Sequence, residues 1–184
     1  VATGLGALAA IDPSSADLAW IARYPTPPRA SQATWVEKGR RFRPTPILSG
    51  TPLIAAPVDS PEVLAIDPST GQTRWRGPRG DARFCLTRGE EVLLLGRSLR
   101  VLDRATGRLL REGPDLGQAP LAHPLLLGEE LVVITSQGIL RVSLKDGSLL
   151  GQWRFSDPSR EVGIPTLIGD RLVTLGYDQA NLYV

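Results

Sequence analysis

A short phrase recurs four times along the chain, with a period of about 40 residues. Its form is Pro-x-x-x-Gly-x-x-Leu, except that one copy has Cys in the place of Pro and Val in the place of Leu. The four copies contain Gly50, Gly89, Gly128 and Gly169. Self-similarity at a fixed period of this length is typical of a repeat architecture, in which each repeat is one supersecondary unit. The period therefore restricts the fold more than any other property of the sequence.

A second phrase follows the first three copies, and its clearest version is Ile-Asp-Pro-Ser-Thr-Gly at residues 66–71. Short apolar runs, such as residues 91–95 and 131–134, lie between the phrases. Runs of this length that are bounded by glycine and polar residues indicate strands rather than helices. Four short antiparallel strands in each repeat are the pattern of a β-propeller blade. The sequence thus predicts an all-β propeller.

A tryptophan follows the aspartate of the second phrase at a fixed distance. The separation is eight residues in the pairs Asp12–Trp20 and Asp67–Trp75. The third repeat has Arg111 at this position, and in the fourth repeat Trp153 lies two residues further along, on the same face of its strand. Aromatic side chains bury large areas when they pack. We therefore expect these tryptophans to pack between neighbouring blades rather than to stack on a ligand.

Residues 65–75, Ala-Ile-Asp-Pro-Ser-Thr-Gly-Gln-Thr-Arg-Trp, resemble the tryptophan-docking motif of the PQQ-like β-propellers. The first repeat departs from the motif because Ala16 replaces the turn glycine. This superfamily includes the quinoprotein alcohol dehydrogenases and the BamB-like proteins, which are envelope lipoproteins that help to assemble outer-membrane barrels. The resemblance implies blades of four antiparallel strands. The implied structural motif residues of this chain are Asp12, Trp20, Ala65, Asp67, Gly71, Trp75, Asp103, Gly107, Gly147 and Trp153.

We expect a single partial propeller domain over residues 1–184, with about three near-complete blades and two partial ones. The expected parts are a blade part at 1–24, an inserted loop at 25–43, blades at about 44–80, 81–117 and 118–157, and a partial blade at 158–184. Both ends of the chain interrupt a repeat, and the chain contains no methionine. We therefore expect the sequence to be a piece of a longer protein.

The composition argues against two classes of partner. The formal net charge is only +2, so the sequence offers no strong field for nucleic acid. No apolar stretch approaches the roughly 20 residues that a membrane-spanning helix needs, so we expect no direct membrane insertion by this segment. The chain has one cysteine and therefore forms no internal disulfide. A soluble scaffold with protein partners fits these properties.

The residues that could carry chemistry all have structural explanations. Cys85 occupies a position that is proline in the other copies of the first phrase, so we expect a buried and inert thiol. His123 is the only histidine, and no cluster of metal ligands stands near it in the sequence. Asp12, Asp67 and Asp103 precede turns, where they are expected to accept hydrogen bonds from backbone N–H groups. We therefore predict no catalytic, cofactor-binding or metal-binding residue in this segment.

The inserted loop at 25–43 is the one stretch that breaks the period. The simplest interpretation of this loop is a solvent-exposed connection between the blade parts that precede and follow it. Long loops on rigid scaffolds are also common sites of binding, and tryptophan and arginine are enriched in interface hot spots. If this segment contains a loop site for a partner, the candidate residues are Trp35, Arg40, Arg41 and Arg43.

The resemblance favours a non-catalytic protein-binding scaffold, similar to BamB-like proteins, in the periplasm or cell envelope of a bacterium. Such a scaffold binds protein partners through loops or blade edges and needs no cofactor. A first alternative is a fragment of a PQQ- and calcium-dependent quinoprotein alcohol dehydrogenase. That family implies an adjacent cysteine pair, which this segment lacks, and a carboxylate base with oxygen ligands for Ca²⁺. A second alternative is a sensor propeller fused to a signalling domain.

Overall fold

The computed structural model of the chain describes residues 6–26, 47–155, 164–169, 171–175 and 180–183. Every regular element in these ranges is a β-strand. The same ranges contain no helix that is long and apolar enough to span a bilayer. The all-β class predicted from the repeat is confirmed.

The strands form five sheets in which consecutive strands are neighbours. The first sheet contains β1 (Ala7–Ile11) and β2 (Leu18–Arg23). The second contains β3 (Ile47–Leu48), β4 (Leu53–Ala55), β5 (Glu62–Ile66) and β6 (Thr73–Pro78). The third contains β7 (Phe84–Arg88), β8 (Glu91–Leu95), β9 (Leu99–Asp103) and β10 (Leu109–Glu112). The fourth contains β11 (Leu125–Leu127), β12 (Glu130–Ile134), β13 (Gly138–Ser143) and β14 (Leu149–Arg154), and the fifth contains β15 (Ile164–Ile168), β16 (Arg171–Leu175) and β17 (Ala180–Tyr183).

The middle strands of the sheets form the core. In β8, the residues from Val92 to Leu95 have no exposed surface, and β5 and β12 have the same pattern of burial. A strand that is covered on both faces needs apolar residues at successive positions, which explains the continuous apolar runs in the sequence. In the first and second sheets, one cluster joins Leu8 and Tyr24 to Leu64 and Ile66. Burial of these side chains is the main source of stability.

The outermost strands share a local irregularity. The pairing of the last two strands shifts register just before the aspartate turn in three sheets, between Ala10/Ile11, Ala65/Ile66 and Arg141/Val142. A β-bulge of this kind increases the twist of the strand pair and redirects the chain. The repeat in sequence is therefore also a repeat in backbone geometry, which places equivalent side chains at equivalent points of each turn.

The chain divides into two compact units. One contains Val1–Gly80, Cys85–Leu93 and Leu102–Leu109, and the other contains Asp81–Phe84, Leu94–Val101 and Leu110–Val184. The first and second sheets belong to the first compact unit, and the fourth and fifth belong to the second.

Candidate functional site

In the second and third sheets, the turn between the last two strands is held by its aspartate. Asp67 Oδ1 accepts hydrogen bonds from the N–H groups of Ser69 and Thr70 at 2.9 and 3.3 Å. Asp103 Oδ1 accepts from the N–H and the hydroxyl of Thr106 at 2.8 and 2.7 Å. A carboxylate that accepts such bonds holds the loop in its turn conformation. These aspartates therefore stabilise their own turns, and their carboxylates are engaged in hydrogen bonds with residues of those turns.

The first and fourth turns use the same chemistry with different residues. In the first turn, Asp12 Oδ1 accepts from the N–H and hydroxyl of Ser14 at 2.8 and 2.6 Å. In the fourth turn, Ser143 stands at the aspartate position, and Asp146 Oδ1 accepts from the N–H and hydroxyl of Ser148 at 3.0 and 2.7 Å. These bonds, the one from the Ser148 hydroxyl above all, lower the pKa of Asp146 to about 2. Each of these four turns thus retains a carboxylate acceptor.

A tryptophan from the preceding sheet covers the second and third turns. Trp20 of β2 donates its indole N–H to the carbonyl of Pro68 at 2.8 Å. Trp75 of β6 donates to the carbonyl of Arg104 at 2.7 Å. Each acceptor is the residue that directly follows the turn aspartate. The two tryptophans therefore make the same contact one repeat apart.

The turn glycines allow this close approach. Gly71 and Gly107 have φ values of 74° and 72°, in the left-handed region that glycine adopts without strain. A Cβ atom at Gly71 would lie within 2.8 Å of the ring of Trp20, and one at Gly107 would lie within 2.8 Å of the ring of Trp75. Glycine is required there for both its backbone conformation and its lack of a side chain.

An arginine makes the corresponding contact with the fourth turn. The Nε–H of Arg111 in β10 donates to the carbonyl of Leu144 at 2.9 Å. Leu144 directly follows Ser143, the residue at the aspartate position of this turn. No ring covers Gly147 of this turn. Instead, the backbone of Gly113 lies against it, where a Cβ atom at Gly147 would come within 2.5 Å of the Gly113 Cα. In the sequence, Arg111 is recognisable only as a position at which the repeat lacks its tryptophan. The Nε–H of arginine is nevertheless a donor, as the indole N–H is, and it can reach the equivalent carbonyl of the turn.

The docking position is empty in β14. Gly151 pairs with Arg141 in the same register in which Trp75 pairs with Ala65. Trp153 lies two residues further along the strand, opposite Ile139, and is 52% exposed. The last edge strand of the fourth sheet therefore differs from the others in the side chain it presents.

Arg104 is a structural residue that the sequence does not single out. Its guanidinium donates to the carbonyls of Ser49 at 2.6 Å and Pro52 at 3.1 Å, and more weakly to Gly89 at 3.4 Å. Gly50 leaves room for the guanidinium, because a Cβ at position 50 would collide with it. The same residue thus gives its backbone carbonyl to Trp75 and its side chain to the second sheet.

The two residues with possible reactivity are in structural surroundings. Cys85 is 2% exposed in β7, and burial raises the pKa of its thiol to about 12. A thiol with such a pKa is protonated at neutral pH and is a poor nucleophile. His123 has its Nδ1 3.1 Å from the carbonyl of Pro124, and its ring packs edge-to-face on Phe84 with centroids 5.6 Å apart.

Among the described residues, no group of three or more His, Cys, Asp or Glu side chains is placed to hold a metal ion. The candidate loop residues Trp35, Arg40, Arg41 and Arg43 lie outside the described residues.

Large apolar side chains are exposed on the outermost strands. β2, β10 and β14 each expose at least one leucine, and the set comprises Leu18, Leu109, Leu110, Leu149 and Leu150. Single exposed leucines are common on protein surfaces. Leu18, Leu109 and Leu149, however, occupy the same position of three repeats, at which β6 has Thr73. We call these three strands the outer strands, and each of them is a candidate functional surface.

Comparison with known proteins identifies the fold. No protein-family model matches the chain, and no curated protein matches it. Among solved structures, BamB from Moraxella catarrhalis is similar over 91% of this chain, with a TM-score of 0.63 and 16% sequence identity. The chain has a β-propeller fold of the kind found in BamB. It spans about half the length of that protein, because the match covers 48% of BamB.

Two computationally designed proteins are also similar in structure. Ika4 matches over 78% of this chain and 93% of its own length, with a TM-score of 0.58. Ika8 matches over 74% of this chain and 43% of its own length, with a TM-score of 0.56. Both are 16% identical in sequence to this chain. At such identity the likeness extends to the fold.

Proposed function

We propose that the chain is a non-catalytic, protein-binding scaffold of the bacterial cell envelope, similar in role to BamB-like proteins. The observation that carries this proposal is the contrast between the docked turns and the outer strands. Trp20 and Trp75 each join a strand to the turn of the following repeat, while the outer strands β2, β10 and β14 leave leucines uncovered. A framework of fixed repeats with an apolar edge surface is suited to holding another protein.

The proposed scaffold works without a bound cofactor. Its aspartates are engaged by their own turns, and its one thiol is buried and protonated. The contrary interpretation, a fragment of a PQQ- and calcium-dependent dehydrogenase, requires the chain or its continuation to bind the quinone. Titration with PQQ in excess Ca²⁺, followed by tryptophan fluorescence, separates the two. Saturable quenching that needs Ca²⁺ favours the dehydrogenase, and unchanged fluorescence favours the scaffold.

Site-specific photocrosslinking in the source organism tests the scaffold directly. A photoreactive amino acid is placed at one exposed leucine of each outer strand, Leu18, Leu110 and Leu150. The matched control places it at Glu90, an exposed residue of a turn. We expect light-dependent adducts with a defined envelope protein from at least one outer strand and not from Glu90. Identical adducts from all four positions, or none from any, would refute the scaffold.

A further inference from the structure

The residue three positions after the docking position divides the outermost strands into two kinds. Register alignment places Pro78 of the second sheet opposite Glu62 and Arg154 of the fourth opposite Gly138, at the same step of the repeat. The third sheet has Pro114 at this step in the sequence, and the first has Arg23. Proline has no N–H and therefore stops another strand from pairing there. Proline thus blocks two edges, and arginine leaves the other two open.

The backbone of β14 is available for pairing along this open edge. Phe155 donates its N–H to the carbonyl of Gln137 at 2.9 Å, which fixes the direction of the neighbouring groups. Successive residues of a strand direct their N–H and C=O groups to opposite sides. In the regularly paired part of β14, Gln152 and Arg154 therefore direct these groups away from β13. Within the described sheet, no strand lies on that side of β14.

The two open edges differ in the side chain at the docking position. In β2 this position holds Trp20, which is engaged with Pro68. In β14 it holds Gly151, and a Cβ built there would meet nothing closer than Arg141 Cδ at 4.0 Å. Trp153, on the same face as Gly151, is 52% exposed. β14 therefore presents an apolar notch, formed by Gly151 beside the exposed ring of Trp153.

The opposite face of β14 supplies a charge. Gln152 and Arg154 alternate with Gly151 and Trp153 and are exposed. Arg154 makes no ion pair with any carboxylate in the described part of the chain, whereas Arg141 of the adjoining strand makes two bonds of 2.7 Å with Glu130. A strand added to this edge would place one side chain over Gly151 and another beside Arg154. An acidic side chain complements the second position.

We propose that β14 binds an extended segment of a protein partner by β-strand addition. The segment carries a large apolar residue opposite Gly151 and an acidic residue opposite Arg154, which lies three positions away. Main-chain hydrogen bonds to β14 supply affinity, and the notch and the arginine supply specificity. This inference rests on the proposed scaffold function and names the surface and the partner chemistry that serve it.

A labelled peptide tests the inference on the full chain. The probe is the fluorescein-labelled peptide Thr-Glu-Val-Thr-Phe-Thr-Val-Thr, and its binding is measured by fluorescence anisotropy. We expect saturable binding, weakened by about ten-fold in Arg154→Pro, which copies Pro78, and in Gly151→Trp, which fills the notch. Arg23→Pro is the matched control, because it makes the same change at the same step of β2. It should leave binding unchanged.

A charge reversal tests the pairing without altering the backbone. The Arg154→Glu variant should no longer bind the peptide above, and it should bind a version of that peptide with Lys in the place of Glu. Absence of saturable binding to the unaltered chain, equal weakening by Arg23→Pro and Arg154→Pro, or a charge reversal without compensation would each overturn the inference. If the peptide fails while Leu18 or Leu110 still crosslinks to an envelope protein, the scaffold function stands and only the β14 site is rejected.

Discussion

The indole ring of Trp75 lies against Gly107, so closely that a Cβ atom at position 107 would come within 2.6 Å of the ring carbons. The same indole donates its N–H to the carbonyl of Arg104, in the turn that contains Gly107. One residue of β6 thus fixes both the position and the backbone conformation of the next turn. Contacts of this kind join the first repeat to the second and the second to the third, as nearest-neighbour interfaces do in repeat proteins.

The substitution Gly107→Ala should destabilise the chain strongly. The alanine would have to adopt a φ of 72°, which costs roughly 1–2 kcal/mol, and its Cβ would displace the Trp75 ring, at a further cost of about 1–3 kcal/mol. We expect the free energy of unfolding, measured in urea, to fall by the sum of these terms.

Gly89→Ala provides the matched control for this prediction. Gly89 has a φ of 53°, but nothing lies within 4 Å of a Cβ atom there. Gly89→Ala should therefore lower the free energy of unfolding only by the cost of the left-handed backbone conformation, about 1–2 kcal/mol. Equal losses from the two substitutions would show that the Trp75 contact contributes nothing beyond the shape of the turn.

The substitution Trp75→Phe separates the hydrogen bond from the ring. It keeps an aromatic side chain over Gly107 but leaves the carbonyl of Arg104 without the indole donor. The expected loss is about 1–3 kcal/mol in the free energy of unfolding. Trp153→Phe is the control, since Trp153 is 52% exposed, and it should change stability by no more than about 0.5 kcal/mol. If Trp153→Phe has the larger effect, the docking assignment is wrong.

The period of the sequence predicts the fold because the same interactions recur in each repeat. Short apolar runs give buried middle strands, of which β8 is the clearest. The aspartate and glycine of each phrase give a turn, as at Asp67 and Gly71. These features depend on neighbours within about ten residues, so they can be recognised from local sequence alone.

Other features depend on contacts between distant residues, and the sequence does not indicate them. Arg104 binds carbonyls 52 and 55 residues away, and no local pattern distinguishes it from an arginine exposed to solvent. Arg111 replaces a tryptophan as a donor because its reach suits the turn around Leu144. The notch at Gly151 becomes visible only when the register of β13 and β14 is known. The sequence shows the repeated parts and the positions that depart from them, whereas the contacts that those positions make are visible only in the structure.

The substitution Ala16→Gly should stabilise the chain. Ala16 stands at the position of the turn glycine and has a φ of 61°, which alanine adopts with strain. Glycine removes that strain but increases the entropy of the unfolded chain, so we expect a net gain of about 0.5–1 kcal/mol and a higher melting temperature. Ala19→Gly, in the adjacent strand β2, is the control. It should destabilise by about 0.5–1 kcal/mol, because glycine is unfavourable within a strand.

The aspartate turns should make stability depend on acid pH. Hydrogen bonds in the folded state lower the pKa of Asp146 from 3.8 to about 2. They also lower the pKa values of Asp12, Asp67 and Asp103. A group whose pKa is depressed by folding stabilises the folded state fully above its unfolded pKa of about 4. That stabilisation is lost as the pH falls through the folded value, so the urea midpoint should decrease between about pH 4 and pH 2.

Asp146→Asn isolates the contribution of one turn to this pH dependence. The amide oxygen can still accept from Ser148, but the side chain no longer titrates. We expect a lower urea midpoint than the unaltered chain at pH 7, since a neutral acceptor makes the weaker hydrogen bond. The decrease below about pH 4 should be shallower, because one depressed carboxyl has been removed. Parallel curves for the two proteins from pH 7 to pH 2 would mean that the turn carboxylate has the same pKa in the folded and unfolded chain.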